Sequence, residues 1–287
     1  MATQITAAMV KELREATGIG MMECKRALVQ ADGDRAAAIK ILREAGMAVA
    51  AKKASRVAKE GMIKTAVADD LQSGRMIEVN CETDFVTKNT AFQEFVDQLL
   101  AAAEGIEDNT LATLQKQAID EAIQKIGENL VAKRNISYKV EGTGAISSYV
   151  HLGGKLGVLV EVSCTKPESV NSEVMKELLK DLALQIAGAA PAPVCVSRDQ
   201  VPPEMVAAER EVYLKQVADK PEAIREKIVN GKLNKYYTTI CLLEQESVKE
   251  KVTHQVSMTI KQVLDAAGKK LGDTIAVKRF ARWQLGA

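Results

Sequence analysis

Aromatic side chains are scarce in this chain. Its 287 residues hold five Tyr, four Phe and one Trp, which leaves little material for the base-stacking platforms of single-strand nucleic-acid binders. A charge of one sign is missing too. Lys and Arg number 39 against 38 Asp and Glu, for a net charge of +1, so no global field gathers phosphate backbones. The two histidines, His151 and His254, have no Cys or carboxylate near them at metal-ligand spacing. The five cysteines are odd in number and none stands in a C-x-x-C pair. That excludes a disulfide framework and reads as reduced, mostly buried thiols of a cytoplasmic protein. No apolar run reaches the about 18 residues of a membrane span. The N-terminal segment lacks a signal-peptide pattern, and Glu12 and Glu15 argue against a transit peptide. A P-loop and a nucleophile elbow are both absent, and Gly18-Ile19-Gly20 lacks the third glycine and the preceding strand of a dinucleotide loop. Neither metal, cofactor nor catalytic residue is therefore expected.

What is present is apolar material, 47% of the chain, enough for two or three modest domains. Three short helices are expected first. Ile5, Met9, Val10 and Leu13 give one helical face, stopped at Gly18. A second helix runs from about Met21 to Gln30. A third is capped by Asp34 and stops at Gly46. The Ala- and Lys-rich stretch after it reads as a linker or a solvated helix. From Gly61 the period changes to two. Gly61–Val67 and Arg75–Cys81 read as a hairpin. Thr90 to Gln93 reads as a capping box for an apolar helix carrying Phe92, Phe95, Val96, Leu99 and Leu100. A helix over Leu111–Ile126 and a strand over Ile136–Val140 close the unit.

A second unit repeats the first at an offset of 83 residues. Gly61, Ile63, Val67, Gly74, Glu78, Val79 and Cys81 fall on Gly144, Ile146, Val150, Gly157, Glu161, Val162 and Cys164. Phe92, Phe95 and Leu99 fall on Met175, Leu178 and Leu182. The chain thus reads as α+β with two like subdomains. All six prolines lie between Pro167 and Pro221. Pro202-Pro203 opens a helix, Asp219-Lys220-Pro221 turns the chain, and a return helix ends at Gly231, which makes an inserted helical hairpin. Lys235–Leu243 and Thr274–Trp283 read as the remaining strands, with a helix between them.

One loop departs from the repeat. Thr83-Asp84-Phe85-Val86-Thr87-Lys88 stands where the second copy has Lys166-Pro167-Glu168-Ser169-Val170-Asn171. A loop that changes on a repeated frame is a place for function. The other reading has Phe85 and Val86 packed beneath the loop and Asp84 accepting backbone hydrogen bonds. Cys81 and Cys164 read either as small buried hydrophobes or as reactive thiols of an enzyme.

Several motifs in order carry a family resemblance: ITAAMVKELREATGIGMMECKRAL at 5–28, EVNCETDFVTKN at 78–89, KIGENL at 125–130, SYVHLGGKLGVLVEV at 148–162, EKIVNGKLNKYY at 226–237 and VKRFARWQLG at 277–286. Over nearly its whole length the chain resembles the bacterial elongation factor Ts family. The resemblance implies a ubiquitin-associated-like bundle with its linker (1–55), a core subdomain over 56–143, a second over 144–200 and 232–287, and the hairpin at 201–231. It implies a guanine nucleotide exchange factor that binds elongation factor Tu, GDP-bound and nucleotide-free, and contacts neither nucleic acid nor membrane. Thr83, Asp84, Phe85 and Val86 would dislocate Mg²⁺ from the partner. Arg14, Met21, Met22 and His151 would bind it. For Met21 a place in the bundle core stays open, and for His151 a turn cap beside Gly153-Gly154. A homodimer or a 2:2 complex also stays open, as does a non-catalytic binding module. The additional C-terminal helix of some members is not expected after Leu285-Gly286-Ala287.

Overall fold

The N-terminal residues fold by capping at both ends of short helices. In the computed structural model, which describes residues 3–254 and 257–286 without the side chain of His254, helix α1 (Ala7–Thr17) starts where the Thr6 hydroxyl accepts from the Met9 amide. It ends at Gly18, whose φ of 68° is the left-handed exit that glycine takes without a Cβ penalty. Helix α2 (Met21–Gln30) follows. Asp34 caps α3 (Arg35–Lys53) by accepting from the Ala37 amide. Val10, Leu13, Ile19, Cys24, Leu28 and Leu42 close one small core.

Helix α3 does not stop at Gly46 but runs to Lys53. Gly46 is there for fit: a Cβ on it would stand 2.6 Å from the Gln124 Oε1 atom. Ala38, Leu42, Gly46 and Ala50 are the buried residues of α3, spaced four apart along one face. The Ala- and Lys-rich segment is thus mostly the last turns of a packed helix.

Contacts divide the chain into two units. One is built mainly from the chain up to Lys64 with Met76–Ser137, the other from Thr65–Arg75 with Tyr138–Gln284. Strands β1 (Glu60–Val67), β2 (Ser73–Cys81) and β3 (Val131–Lys139) form a sheet in the order β1-β2-β3. Between β2 and β3 lie α4 (Asp84–Thr87), α5 (Thr90–Ala102), α6 (Leu111–Leu114) and α7 (Lys116–Ile126). Helix α3 packs along α7, with Arg43 paired to Glu121 at 3.3 Å. The expected single helix over 111–126 is broken at Gln115, and β3 begins five residues before the expected strand. The expected capping box at Thr90 is not formed. Asn89 is the cap instead, accepting from the Ala91 amide, and Gln93 donates to the Thr87 carbonyl.

The second sheet has the order β4-β5-β6, with β4 (Gly144–His151), β5 (Leu156–Ser163) and β6 (Ala276–Gln284) antiparallel. Helices α8 (Pro167–Val170) and α9 (Glu173–Gly188) follow β5, and α12 (Ile260–Leu271) precedes β6. Val158, Val160, Val162, Met175, Leu178, Leu182 and Leu264 share this unit's core. Between α9 and α12 stand the antiparallel partners α10 (Pro203–Gln216) and α11 (Glu222–Ile240). Val206, Tyr213, Val217, Val229 and Leu233 pack between them.

The expected strand over Lys235–Leu243 is an error of reading. Helix α11 runs through an uncrowded Gly231 to Ile240, and Cys241 alone makes a bridge, to Cys195. The Tyr-Tyr-Thr-Thr-Ile composition suits a strand. Tyr236, Tyr237 and Ile240 instead keep helical spacing and cover Cys195 and Val201.

The repeat reaches further than the hairpin and first helix. After the inserted hairpin the offset becomes 145 residues, which places β6 on β3 end to end. Fully buried Glu78 receives the Arg134 Nε at 2.7 Å, and buried Glu161 receives the Arg279 Nε at 2.7 Å. Each pair ties a middle strand to the third strand of its sheet and keeps a buried charge compensated.

Candidate functional site

The 83–86 corner is built where β2 gives way to α4. Cys81 is the last residue of the strand, and its thiol donates to the Thr83 carbonyl at 3.1 Å. Glu128, just past the left-handed Gly127 that ends α7, reaches back to this turn. Its Oε2 accepts from the amides of Glu82 and Thr83, both at 3.0 Å. Its Oε1 accepts from the Thr83 hydroxyl at 2.6 Å. Glu82 answers in the other direction, accepting from the Asn129 amide at 2.7 Å and pairing with Arg56 at 3.4 Å. The Asn129 side chain then donates to the Arg56 carbonyl. Charged acceptors on backbone amides are among the stronger protein hydrogen bonds, so the corner has a stiff mount.

What the mount carries is exposed. Phe85 is 78% accessible. Thr83 and Asp84 are exposed as well, and Val86 is half-buried. The packed reading of Phe85 therefore fails. Burying a Phe side chain is worth about 1.5–3 kcal/mol, and here that quantity is left unspent within the chain.

Arg14 is exposed on α1. Met21 and Met22, 50% and 67% accessible, lie at the start of α2 outside the small bundle core, so Met21 is not a core residue. His151 ends β4. Its carbonyl accepts from the amides of Gly154 and Lys155, so the turn is capped by backbone rather than by the ring. The ring is exposed and oriented by Tyr149, whose hydroxyl lies 2.8 Å from Nδ1 with the two rings stacked at 5.8 Å. Next to it Leu152 is exposed with a φ of 50°, a conformation that is uncommon for a bulky residue. Thus 83–86, Arg14, Met21 and Met22 belong to the first unit and His151 to the second.

Glu128, Tyr149 and Leu152 were not singled out in the sequence. Each lies inside a motif that carries the resemblance, Glu128 in KIGENL and the other two in SYVHLGGKLG. Tyr149 was also reachable by period, since residues two apart share a strand face.

Thiol chemistry finds no support. All five cysteines are free and buried. Burial first, then the charges of Glu128 and Glu60, push the Cys81 thiol up to about 12. Burial and Asp273 push Cys164 up as well. A nucleophilic cysteine needs the opposite shift. Among the described residues no group of three or more His, Cys, Asp or Glu is placed to hold a metal ion. Nor is any described helix long and apolar enough to cross a membrane.

The second copy has a corner of the same make. Half-buried Asp273, just past the left-handed Gly272, accepts from the amides of Thr165 at 2.9 Å and Lys166 at 3.2 Å, and from the Thr165 hydroxyl. Burial opposes the Asp273 charge, and bonds from Ser169, Thr165 and Thr274 outweigh it, holding the carboxyl well below its ordinary range. A folded-state value below the unfolded one gives stability that is intact above the unfolded value, about 3.9 for Asp, and lost as pH falls through the folded value. Asp273→Ala is therefore expected to lower the urea midpoint by a constant amount from pH 7 to about 5, with the gap closing below about 4. Urea titrations across that range check it, and a gap that widens in acid would contradict the assignment.

Comparison with known proteins gives one consistent result. A family model described as Elongation factor TS matches residues 82–287. Proteins described as Elongation factor Ts from Trichlorobacter lovleyi and Clostridium botulinum are each 42% identical to this chain, over 297 and 295 residues. One from Clostridium kluyveri is 42% identical over 296 residues. Each alignment covers 98% of this chain and 93% of the relative.

Proposed function

We propose that this chain, which belongs to the elongation factor Ts family and is a nucleotide exchange factor of translation elongation, releases GDP from elongation factor Tu by pressing the 83–86 corner into it. The observation that carries the reading is an exposed Phe85 on a turn held by three hydrogen bonds to one carboxylate.

In GTP-binding proteins the phosphates are held by Mg²⁺ and by phosphate-loop groups. A factor that binds a conformation with those contacts broken lowers nucleotide affinity without touching the nucleotide. Phe85 wedges between partner helices near the nucleotide site, Asp84 competes for local donors, and Thr83 and Val86 set the pair at its angle. Mg²⁺ coordination is lost. Factor and nucleotide then weaken each other equally, because coupling between sites is reciprocal. A shift of about 10⁴ in affinity needs about 5.5 kcal/mol of differential binding. Phe85 accounts for about 1.5–3 kcal/mol of that, so further contacts share the work. Arg14, Met21 and Met22 dock on the partner's GTP-binding domain, and His151, its ring set by Tyr149, presses toward the phosphate loop. No covalent step is involved, and the setting is the cytoplasm.

In this reading residues 1–55 recruit the partner. The two core subdomains, 56–143 and 144–200 with 232–287, carry the pressing elements. The hairpin at 201–231 is left for self-association. Release of labelled GDP from elongation factor Tu, with the chain at catalytic amounts and Mg²⁺ varied, is the test. Multiple turnovers with a strongly accelerated rate are expected, and the acceleration shrinks as Mg²⁺ is withdrawn. An unchanged rate with binding intact leaves only a passive docking module.

A further inference from the structure

We infer that Glu128 is a positioning residue for exchange: its carboxylate sets the angle at which Phe85 and Asp84 leave the body of the protein. The inference rests on the reading of 83–86 as the pressing element and deepens it.

Three observations carry it. The first is bond geometry. One carboxylate takes both consecutive amides of the turn, Glu82 and Thr83, on one oxygen and the Thr83 hydroxyl on the other. Thr83 is the residue immediately before α4, and its hydroxyl makes no cap bond to that helix. The hydroxyl is committed to Glu128 instead, so the orientation of α4 at its start is set by a group 45 residues away. The second is direction of restraint. Glu82, on the same turn, holds the Asn129 amide. The two segments therefore grip each other reciprocally, and the corner cannot pivot about one bond.

The third comes from the repeat. Asp273 stands 145 residues after Glu128 and takes the two matching amides, Thr165 and Lys166, with the hydroxyl it holds now on Thr165, the position matching Glu82. There the turn is followed by a differently used helix. The position matching Phe85 is exposed Glu168, and Ser169 and Val170 turn inward at 2% and 7% accessibility. The grip is thus a mount whose load differs between copies. In the first copy alone it presents a large apolar side chain, and placement errors of about 1 Å in such a group can cost up to about a hundredfold in rate. A group that must act while unsupported by the protein's own core has to be aligned by its base.

The test is a cycle of variants in the GDP-release assay, each read for the maximal rate, for half-saturation and for its melting temperature. Glu128→Ala is expected to lower the maximal rate about tenfold with half-saturation changed less. Glu128→Gln is expected to stay within about twofold of wild type, since its amide oxygen still accepts from the two backbone amides and its NH₂ donates to the Thr83 hydroxyl oxygen. In an Asp84→Ala/Phe85→Ala background the Glu128→Ala change is expected to add no further slowing, because a mount without its load has nothing left to aim. Thr83→Val, which deletes only the hydroxyl arm, runs the same cycle if Glu128→Ala does not fold, with a smaller loss that again vanishes beside Asp84→Ala/Phe85→Ala. Glu128→Ala exchanging at the wild-type rate while Phe85→Ala is slow overturns the inference alone. So do losses that multiply when Glu128→Ala is combined with Asp84→Ala/Phe85→Ala. Phe85→Ala at the wild-type rate takes down the reading of the corner and this inference with it.

Discussion

Replacing Phe85 by Ala is expected to slow catalysed GDP release about 10- to 100-fold while leaving the melting temperature where it was. The rate figure follows from the about 1.5–3 kcal/mol that a Phe side chain gains on burial, with about 1.4 kcal/mol for each factor of ten. The stability figure follows from exposure. A side chain that is 78% accessible has little to lose within its own chain, and surface substitutions of this kind usually fall within about 0.5 kcal/mol. Stopped-flow release of labelled GDP and a thermal melt on the same preparation separate the two quantities. A sharp fall in melting temperature would place Phe85 in the protein's own packing and remove it from exchange. Asp84→Ala is expected to act in the same direction with a smaller loss.

The largest effect on stability is expected at two glycines in matching places of the repeat. A Cβ built on Gly61 would stand 2.2 Å from the Val79 carbonyl oxygen and 2.7 Å from the Asn80 Cα. One on Gly144 would stand 2.3 Å from the Val162 carbonyl oxygen. In both cases the obstacle is the backbone of the neighbouring strand, which has no rotamer to change. Overpacking in a well-filled interior costs about 1–3 kcal/mol even where side chains can yield, so Gly144→Ala is expected to cost about 3 kcal/mol or more. Gly61 adds a φ of 142° that a residue with a Cβ adopts only under strain, worth about 1–3 kcal/mol. Gly61→Ala should therefore be the more damaging of the pair. Urea unfolding gives both numbers, and a loss under about 0.5 kcal/mol at Gly144 would show that the strands spread to admit a methyl group.

Those glycines also show what was legible in the sequence. Their pairing at a fixed offset announced two like hairpins, and the hairpins are there. Caps announced the short N-terminal helices, since Thr6, Gly18 and Asp34 act through their own neighbours. Failures came where a distant partner decides. Gly46 reads as a stop, yet it admits Gln124, far along the chain. Tyr236-Tyr237-Thr238-Thr239-Ile240 reads as a strand, yet α10 and the Cys195 segment hold it helical. At the candidate site, the departure of 83–88 from the repeat drew attention to the corner. Glu128 drew none, because two of its three bonds are to backbone amides, which any residue but proline supplies, and the third is to a hydroxyl 45 residues away. The buried Glu78 and its repeat Glu161 were visible as a matched pair, but their arginines were not, because the inserted hairpin changes the offset from 83 to 145 before Arg279 is reached.

Both corner grips take hold mainly of main-chain N–H groups, and every residue except proline supplies one. The exposed side chains at the two tips, Phe85 and Glu168, are thereby freed from any duty in keeping the turn in shape. An aromatic can stand at the tip in one half and an acid in the other, and neither swap disturbs the foundation. New tips could be grafted onto residues 84 and 85, or onto 167 and 168 after Lys166, and be expected to fold. A proline at 82 or 83 would not be tolerated.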